Sequence, residues 1–208
     1  MVQDPEKRRG YDEEWLRVTY PKTYAYLKRF EEPLRQRSGY RRYFRDSDPF
    51  YSVFNVGEYT FAPYKVVWPN IASRLSCAVV SSREQKPVVP QHIVTLVALN
   101  SEEEAHFVCA VLNTSPLDYA LQSYSQKGGK SFGTPHVLEN LRVPRFDASD
   151  TVHCELAALS KEAHAAAATA DAPRVRHLQA QIDALAARLW DLTDEELRDI
   201  QESLAEMG

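Results

Sequence analysis

No run of apolar residues in this sequence approaches the ~18 that a membrane-crossing helix needs, so nothing in it reads as a span. The first ten residues are polar and charged, without the apolar core of a secretory leader, and the chain is expected in the cytoplasm. Cysteine is scarce. Cys77, Cys109 and Cys154 are widely separated, odd in number and never in a CxxC pair, which argues against a disulfide framework and for reduced, inert thiols. Glycine is scarce too, seven residues in 208, and none falls in a GxGxxG or GxxxxGK(S/T) pattern, so no cradle for a nucleotide phosphate is recognisable. The six histidines show neither HExxH nor a paired spacing with cysteine, which leaves no metal-ligand set. No GxSxG elbow marks a serine hydrolase.

An excess of positive charge is also missing, since the formal net charge is −4. The distribution is uneven, however. Residues 1–46 carry twelve Lys/Arg against eight Asp/Glu, residues 47–145 carry eight of each, and residues 146–208 carry five against thirteen. Ends of opposite sign point to a basic working surface and an acidic tail that is solvated or packed on protein. With hydrophobic residues at 44% and charged residues at 26%, the composition supports a packed core.

Local patterns give the order of elements. Pro21 suits the first position of a helix, where its missing N–H breaks no bond. Tyr24, Leu27, Phe30 and Leu34 recur at helical spacing, and Pro33 is expected to kink or end that helix near Glu32. Residues 51–56 read as a strand closed by Gly57, and 64–68, 77–80 and 92–99 as three more. Ser101 with Glu104 forms a capping box for a helix to about Leu112, and Ser115-Pro116 opens another to about Tyr124. Residues 125–134 hold three of the glycines and read as a loop, followed by a strand-like piece over 137–146. Pro173 breaks an alanine-rich helical tail, after which Leu178, Ile182, Leu185 and Leu189 form a narrow apolar stripe. Thr193 with Glu196 caps a final helix that turns Leu197, Ile200 and Leu204 inward. The expected fold is α+β: a small, mostly antiparallel sheet with flanking helices and a C-terminal helical tail. The expected divisions are a basic helical segment over 1–46, an α+β core over 47–147 and the tail over 148–208.

The densest constellation is Arg35, Arg37, Tyr40, Arg41, Arg42, Tyr43 and Arg45. From Arg17 to Arg45 there are nine Lys/Arg against two Asp/Glu. The planar guanidinium fork binds phosphate in two places and reads guanine, and tyrosine stacks or bonds to the backbone, so this mixture suits a nucleic-acid surface. A solvated basic face with its tyrosines in the core has the same composition, and both readings stay open. A second candidate is the loop with Lys127, Lys130, Ser131 and Phe132, where glycines let backbone N–H groups approach an anion. An ordinary surface loop also looks like this.

Several stretches together resemble a known family. PKTYAYL at 21–27, GEYTFAPYKVVW at 57–68 and AVLNT at 110–114 are similar to the C-terminal target-recognition region of TaqI-like adenine-specific DNA methyltransferases. Such regions occur in type II restriction-modification enzymes and phage-defence methylases. The loop at 130–135 leading to LRVP at 141–144, and LTDEE at 192–196, resemble the end of that region, so the resemblance covers about residues 20–205. It implies a domain that binds double-stranded DNA beside a methyltransferase catalytic domain or subunit, which flips adenine and takes a methyl group from AdoMet. The family's AdoMet loop is not found in this sequence. Asp48-Pro49-Phe50-Tyr51 lacks the second proline of the catalytic NPPY-type tetrapeptide and reads as leading into a strand. AdoMet is therefore expected only in the missing catalytic part, with no cofactor and no methyl transfer in this chain alone.

Within 57–68, alternation places most of Tyr59, Phe61, Val66 and Val67 in the core and leaves Lys65 and Trp68 as further DNA-facing candidates. Phosphate contacts would set register, and side chains in the major groove would specify bases. The competing reading is a protein-interaction module that acts through the C-terminal helical stripe. That stripe is also the route to a homodimer.

Overall fold

The computed structural model describes residues 2–84, 86–91, 93–124 and 141–207. The chain is α+β and divides into two compact units, Met1–Phe61 and Ala62–Gly208.

The first unit opens with a two-stranded antiparallel ribbon, β1 (Gln3–Asp4) and β2 (Arg9–Gly10). Helices α1 (Glu13–Thr19), α2 (Pro21–Lys28), α3 (Glu31–Gln36) and α4 (Ser38–Tyr43) follow, and the short α5 (Glu58–Phe61) closes it. Asp12 caps α1 by accepting from the Trp15 N–H at 3.0 Å, and Glu13 and Glu14 complement the positive end of its dipole. Pro21 starts α2 as its sequence suggests. The helix stops at Lys28 rather than reaching Pro33, which instead falls in the first turn of α3, where the absent N–H leaves no intrahelical bond unmade. Leu16, Phe50 and Tyr51 form the core, with Val2, Tyr24, Leu27 and Leu34 packed around it, while Phe30 stays exposed. Gly10 is required by that core: a Cβ there would lie 2.7 Å from Cε2 of the Tyr51 ring.

Residues 51–56 are turns, not the expected strand. Side chains take the place of a ladder. Gln3 donates from Nε2 to the Tyr51 carbonyl at 2.7 Å and accepts at Oε1 from the Val53 N–H at 3.0 Å. Arg37 donates to the Phe50 and Ser52 carbonyls at 3.2 and 2.9 Å. A backbone satisfied in this way gains nothing from pairing with a neighbouring strand.

In the second unit, β3 (Tyr64–Pro69) is the middle strand of an antiparallel sheet, with β4 (Ala78–Ser81) on one side and β5 (Val94–Leu99) on the other. Val66 faces Val79 and Val97 across the two ladders. Then come α6 (Glu102–Leu112), α7 (Ser115–Tyr124), α8 (Thr151–Ala168), α9 (Ala172–Ala186) with a 3-10 turn over Ala187–Trp190, and α10 (Asp194–Met207). Both expected caps form, but only the second is the reciprocal box. Ser101 accepts from the Glu104 N–H at 3.3 Å while its hydroxyl turns to Glu103, whereas the Thr193 N–H donates to the Glu196 carboxylate at 2.8 Å and the Glu196 N–H to the Thr193 hydroxyl at 3.2 Å.

Helix α6 is the centre of this unit. Its Ala105, Cys109 and Leu112 pack with Val66, Trp68, Leu75 and Leu121, and its Phe107, Ala110 and Val111 pack with Leu156, Ile182 and Leu185. The layers are therefore sheet, α6, then α8 with α9. Leu178, Ile182 and Leu185 of the tail stripe are buried inside this unit, and Leu189 is half-buried. Each such side chain contributes about 1.5–3 kcal/mol by leaving water. Residues 141–147 form no strand. Pro144 has no N–H to donate, and the Trp190 indole takes the Arg142 carbonyl at 3.1 Å. The earlier part of the strand-like piece, 137–140, lies outside the described residues.

Buried polar groups pin the layers together. Asp183, 4% exposed, accepts from the Ser115 N–H and hydroxyl at 3.0 and 2.6 Å and from the Gln179 and Gln201 amides, which ties α9 to α7 and α10. The Asn113 amide pairs with both backbone groups of Cys77 at 2.8 and 2.9 Å. His164 accepts at Nε2 from the Val79 N–H of β4 at 2.9 Å, which leaves its proton on Nδ1, 2.7 Å from the Ser160 carbonyl. The Ser160 hydroxyl lies 3.1 Å from His106 Nδ1. Burial, with the nearby His164 and Lys161, pushes the His106 pKa down to about 4.

A folded-state value below the unfolded one makes the unfolded chain the better proton acceptor. Stability should thus be unaffected by this group above pH ~6.5 and fall as pH drops from there toward 4. Thermal melts across that range should show the loss, and His106→Gln should reduce it; an unaltered pH dependence in the variant would assign the loss to other groups.

Candidate nucleic-acid interface

The structure separates the basic constellation into two groups. Arg35, Arg37 and Tyr40 hold the first unit together. Arg35 pairs with Glu31 at 3.0 Å and donates to the Tyr40 hydroxyl at 2.8 Å and the Asp46 carbonyl at 3.0 Å. The Tyr40 side chain is buried, and its hydroxyl reaches the Arg45 and Asp48 carbonyls at 2.9 and 2.7 Å. Arg37 bonds to the Leu34, Phe50 and Ser52 carbonyls, and burial lowers its pKa below the usual arginine value.

Arg41, Arg42, Tyr43 and Arg45 face outward. Among the described residues, none forms an ion pair or hydrogen bond with the guanidinium groups of Arg41, Arg42 or Arg45; Arg42 lies 5.4 Å from the Tyr43 ring centroid. The Arg45 backbone N–H is held by Asp48 at 2.8 Å, so the chain is anchored while the side chain stays available. Three cations without an ion pair among the described residues, within five residues of sequence, give this stretch an exposed positive charge.

Phe54 lies against Tyr43 of this group, a contact that sequence reasoning missed. Its ring stacks on Tyr43 with centroids 3.5 Å apart. Reading 51–56 as a strand made Phe54 one more alternating residue. The signal against a strand was Asn55, followed two positions later by Gly57: Asn55 has φ 60°, a left-handed turn conformation that asparagine tolerates.

Lys65 and Trp68 are not on a surface. Both are 1% exposed. Trp68 shares a face with Val66, two residues before it, and packs in the same cluster beneath the sheet. Lys65 points to the other face, donates from Nζ to the Ala62 carbonyl at 2.7 Å, and has its pKa lowered by burial. Neither presents a group to DNA in this structure. Of the 57–68 run, Glu58–Phe61 is helical, so alternation begins only at Tyr64, and Tyr59 and Phe61 are half-buried rather than core. Lys127, Lys130, Ser131 and Phe132 lie outside the described residues.

The second unit has an open cleft of about 1550 Å³ lined by residues 71–78 and by α7 to α10. Arg74 lies 3.5 Å from Asp118 there. No group of three or more His, Cys, Asp or Glu among the described residues could hold a metal ion. No described helix is long and apolar enough to cross a membrane.

No family model matches the chain. A stretch of 100 residues, 48% of the chain, is 29% identical to the type II methyltransferase M.NspV of Nostoc sp. (strain ATCC 29411 / PCC 7524) and covers 20% of that protein. The chain thus spans about a fifth of the length of the curated relative it matches. This likeness supports a methyltransferase-related region within the chain.

Proposed function

We propose that the chain is the target-recognition part of an adenine-specific DNA methyltransferase of a type II restriction-modification system, and that its basic first unit binds double-stranded DNA. The observation that carries this reading is the set of outward arginines Arg41, Arg42 and Arg45, without an ion pair among the described residues, in a chain similar to part of a type II methyltransferase. Their phosphate contacts would set the register of binding. Lys127, Lys130, Ser131 and Phe132 are kept as the candidate group for reading bases. Methyl transfer and AdoMet binding belong to a catalytic domain or subunit that this part orients on DNA. A homodimer through the C-terminal helices would need residues other than Leu178, Ile182 and Leu185, which are buried within the second unit.

Each arginine that meets a phosphate releases about one counterion. Arg41→Ala with Arg42→Ala should weaken binding to every duplex and lower the slope of log K against log salt by up to about two. Fluorescence anisotropy over a salt series checks this. A slope equal to that of the unmodified protein would mean that these arginines are only a solvated face.

A further inference from the structure

Beside the exposed arginines, the first unit carries an aromatic pair that its own core does not use. Tyr43 ends α4 and Phe54 lies in the turn after Ser52, with ring planes 9° from parallel. Tyr43 is 46% exposed and Phe54 is 48% exposed, and neither belongs to the Leu16, Phe50 and Tyr51 cluster. Most other ring pairs in the unit are tilted or edge-on, the arrangement that ring quadrupoles favour. The backbone around Phe54 is fixed on both sides: Gln3 accepts from the Val53 N–H at 3.0 Å, and the Tyr59 hydroxyl donates to the Asn55 carbonyl. The ring is therefore presented by a tethered turn.

A half-exposed stacked ring pair, with the Arg42 guanidinium 5.4 Å from the Tyr43 centroid and Arg41 and Arg45 close by in sequence, fits one ligand chemistry well. Every nucleobase has a π face that stacks on such rings, and its phosphates meet the arginine forks. An apolar protein side chain would use the rings and leave Arg41, Arg42 and Arg45 unmatched. We propose that Tyr43 and Phe54 form a stacking site for a nucleobase outside the duplex stack, in single-stranded DNA or at an unpaired position, with Arg42 and Arg45 on its flanking phosphates. This rests on the DNA-binding reading above and adds the unpaired base as a ligand of the same surface.

The test titrates the full chain with three fluorescent probes: an intact duplex, the same duplex with one bulged thymine, and a dT oligonucleotide. Phe54→Leu keeps apolar bulk but removes the π face. It should weaken bulge and dT binding roughly five- to 100-fold and leave the intact duplex and its salt slope unchanged. Phe54→Tyr should restore the loss. Unchanged bulge and dT binding by Phe54→Leu overturns the stacking site while duplex recognition stands. Equal losses on all three probes also overturn it, because Phe54 would then support the whole surface. A change in the mass of the free protein would make the pair a contact between copies and overturn it as well. Failure of the unmodified chain on the intact duplex alone would remove the earlier reading and leave this one. Failure on all three probes would remove both.

Discussion

Leu185→Asp should unfold the second unit. Leu185 is 9% exposed and packs with Phe107, Ala110, Val111, Leu156 and Ile182 where α9 meets α6 and α8. Truncating a buried leucine costs about 2–5 kcal/mol through lost transfer energy and the cavity left behind. An aspartate adds a carboxylate with no donor waiting for it, at a further cost of several kcal/mol. A domain of this size has about 5–15 kcal/mol in total, so most of the margin goes. Leu185→Met keeps volume and should cost less than about 1.5 kcal/mol. Denaturant midpoints followed by circular dichroism separate the two variants. If the stripe were instead a docking face for another protein, Leu185→Asp would leave the melting temperature intact and change only the mass in solution.

The tail stripe could be read in the sequence because everything that defines it is local. Leu178, Ile182 and Leu185 follow helical spacing, and Pro173, Thr193 and Glu196 mark helix starts by the backbone groups they cap or lack. The strands 64–69, 78–81 and 94–99 were readable for the same reason, as short β-branched or apolar runs between turns. Residues 51–56 were not. Their pattern allows a strand, and what prevents it is Gln3, 48 residues upstream of Tyr51, together with Arg37. No window around Tyr51 contains that information. Pro33 failed in the other direction: a proline within a helical pattern and a proline in the first turn of a new helix look alike until the break at residues 29–30 is known.

The candidate site shows the same division. Composition found the basic stretch but could not say which arginines were already engaged. The acceptors that occupy Arg37 and Tyr40 are mainly backbone carbonyls, which every residue has and no sequence pattern marks. Trp68, by contrast, was decidable. If Val66 is core, period two puts Trp68 on the same face, so its exposure to DNA conflicted with the strand that was inferred.

Arg37→Ala should therefore behave unlike Arg41→Ala, although both remove one positive charge four residues apart. The Arg37 guanidinium spans three carbonyls, at 2.8 Å to Leu34, 3.2 Å to Phe50 and 2.9 Å to Ser52. Of these, Ser52 belongs to the turn segment that forms no strand, and Phe50 immediately precedes it. Removing the fork strands acceptors that are partly shielded from water, at up to about 1–3 kcal/mol for each one left unsatisfied. A loss of roughly 3 kcal/mol or more is expected from these contacts together. It should appear as a lower melting temperature and faster hydrogen exchange in the first unit. Arg37→Lys should recover only part of it, since one ammonium on a flexible stem cannot reproduce the planar fork. Arg41→Ala, at an exposed position without a partner among the described residues, should stay within about 0.5 kcal/mol of the unmodified protein. Its effect should fall on DNA affinity instead. Equal stability of Arg37→Ala and Arg41→Ala would show that the carbonyl clamp holds nothing, and the separation of structural from available arginines would have to be redrawn.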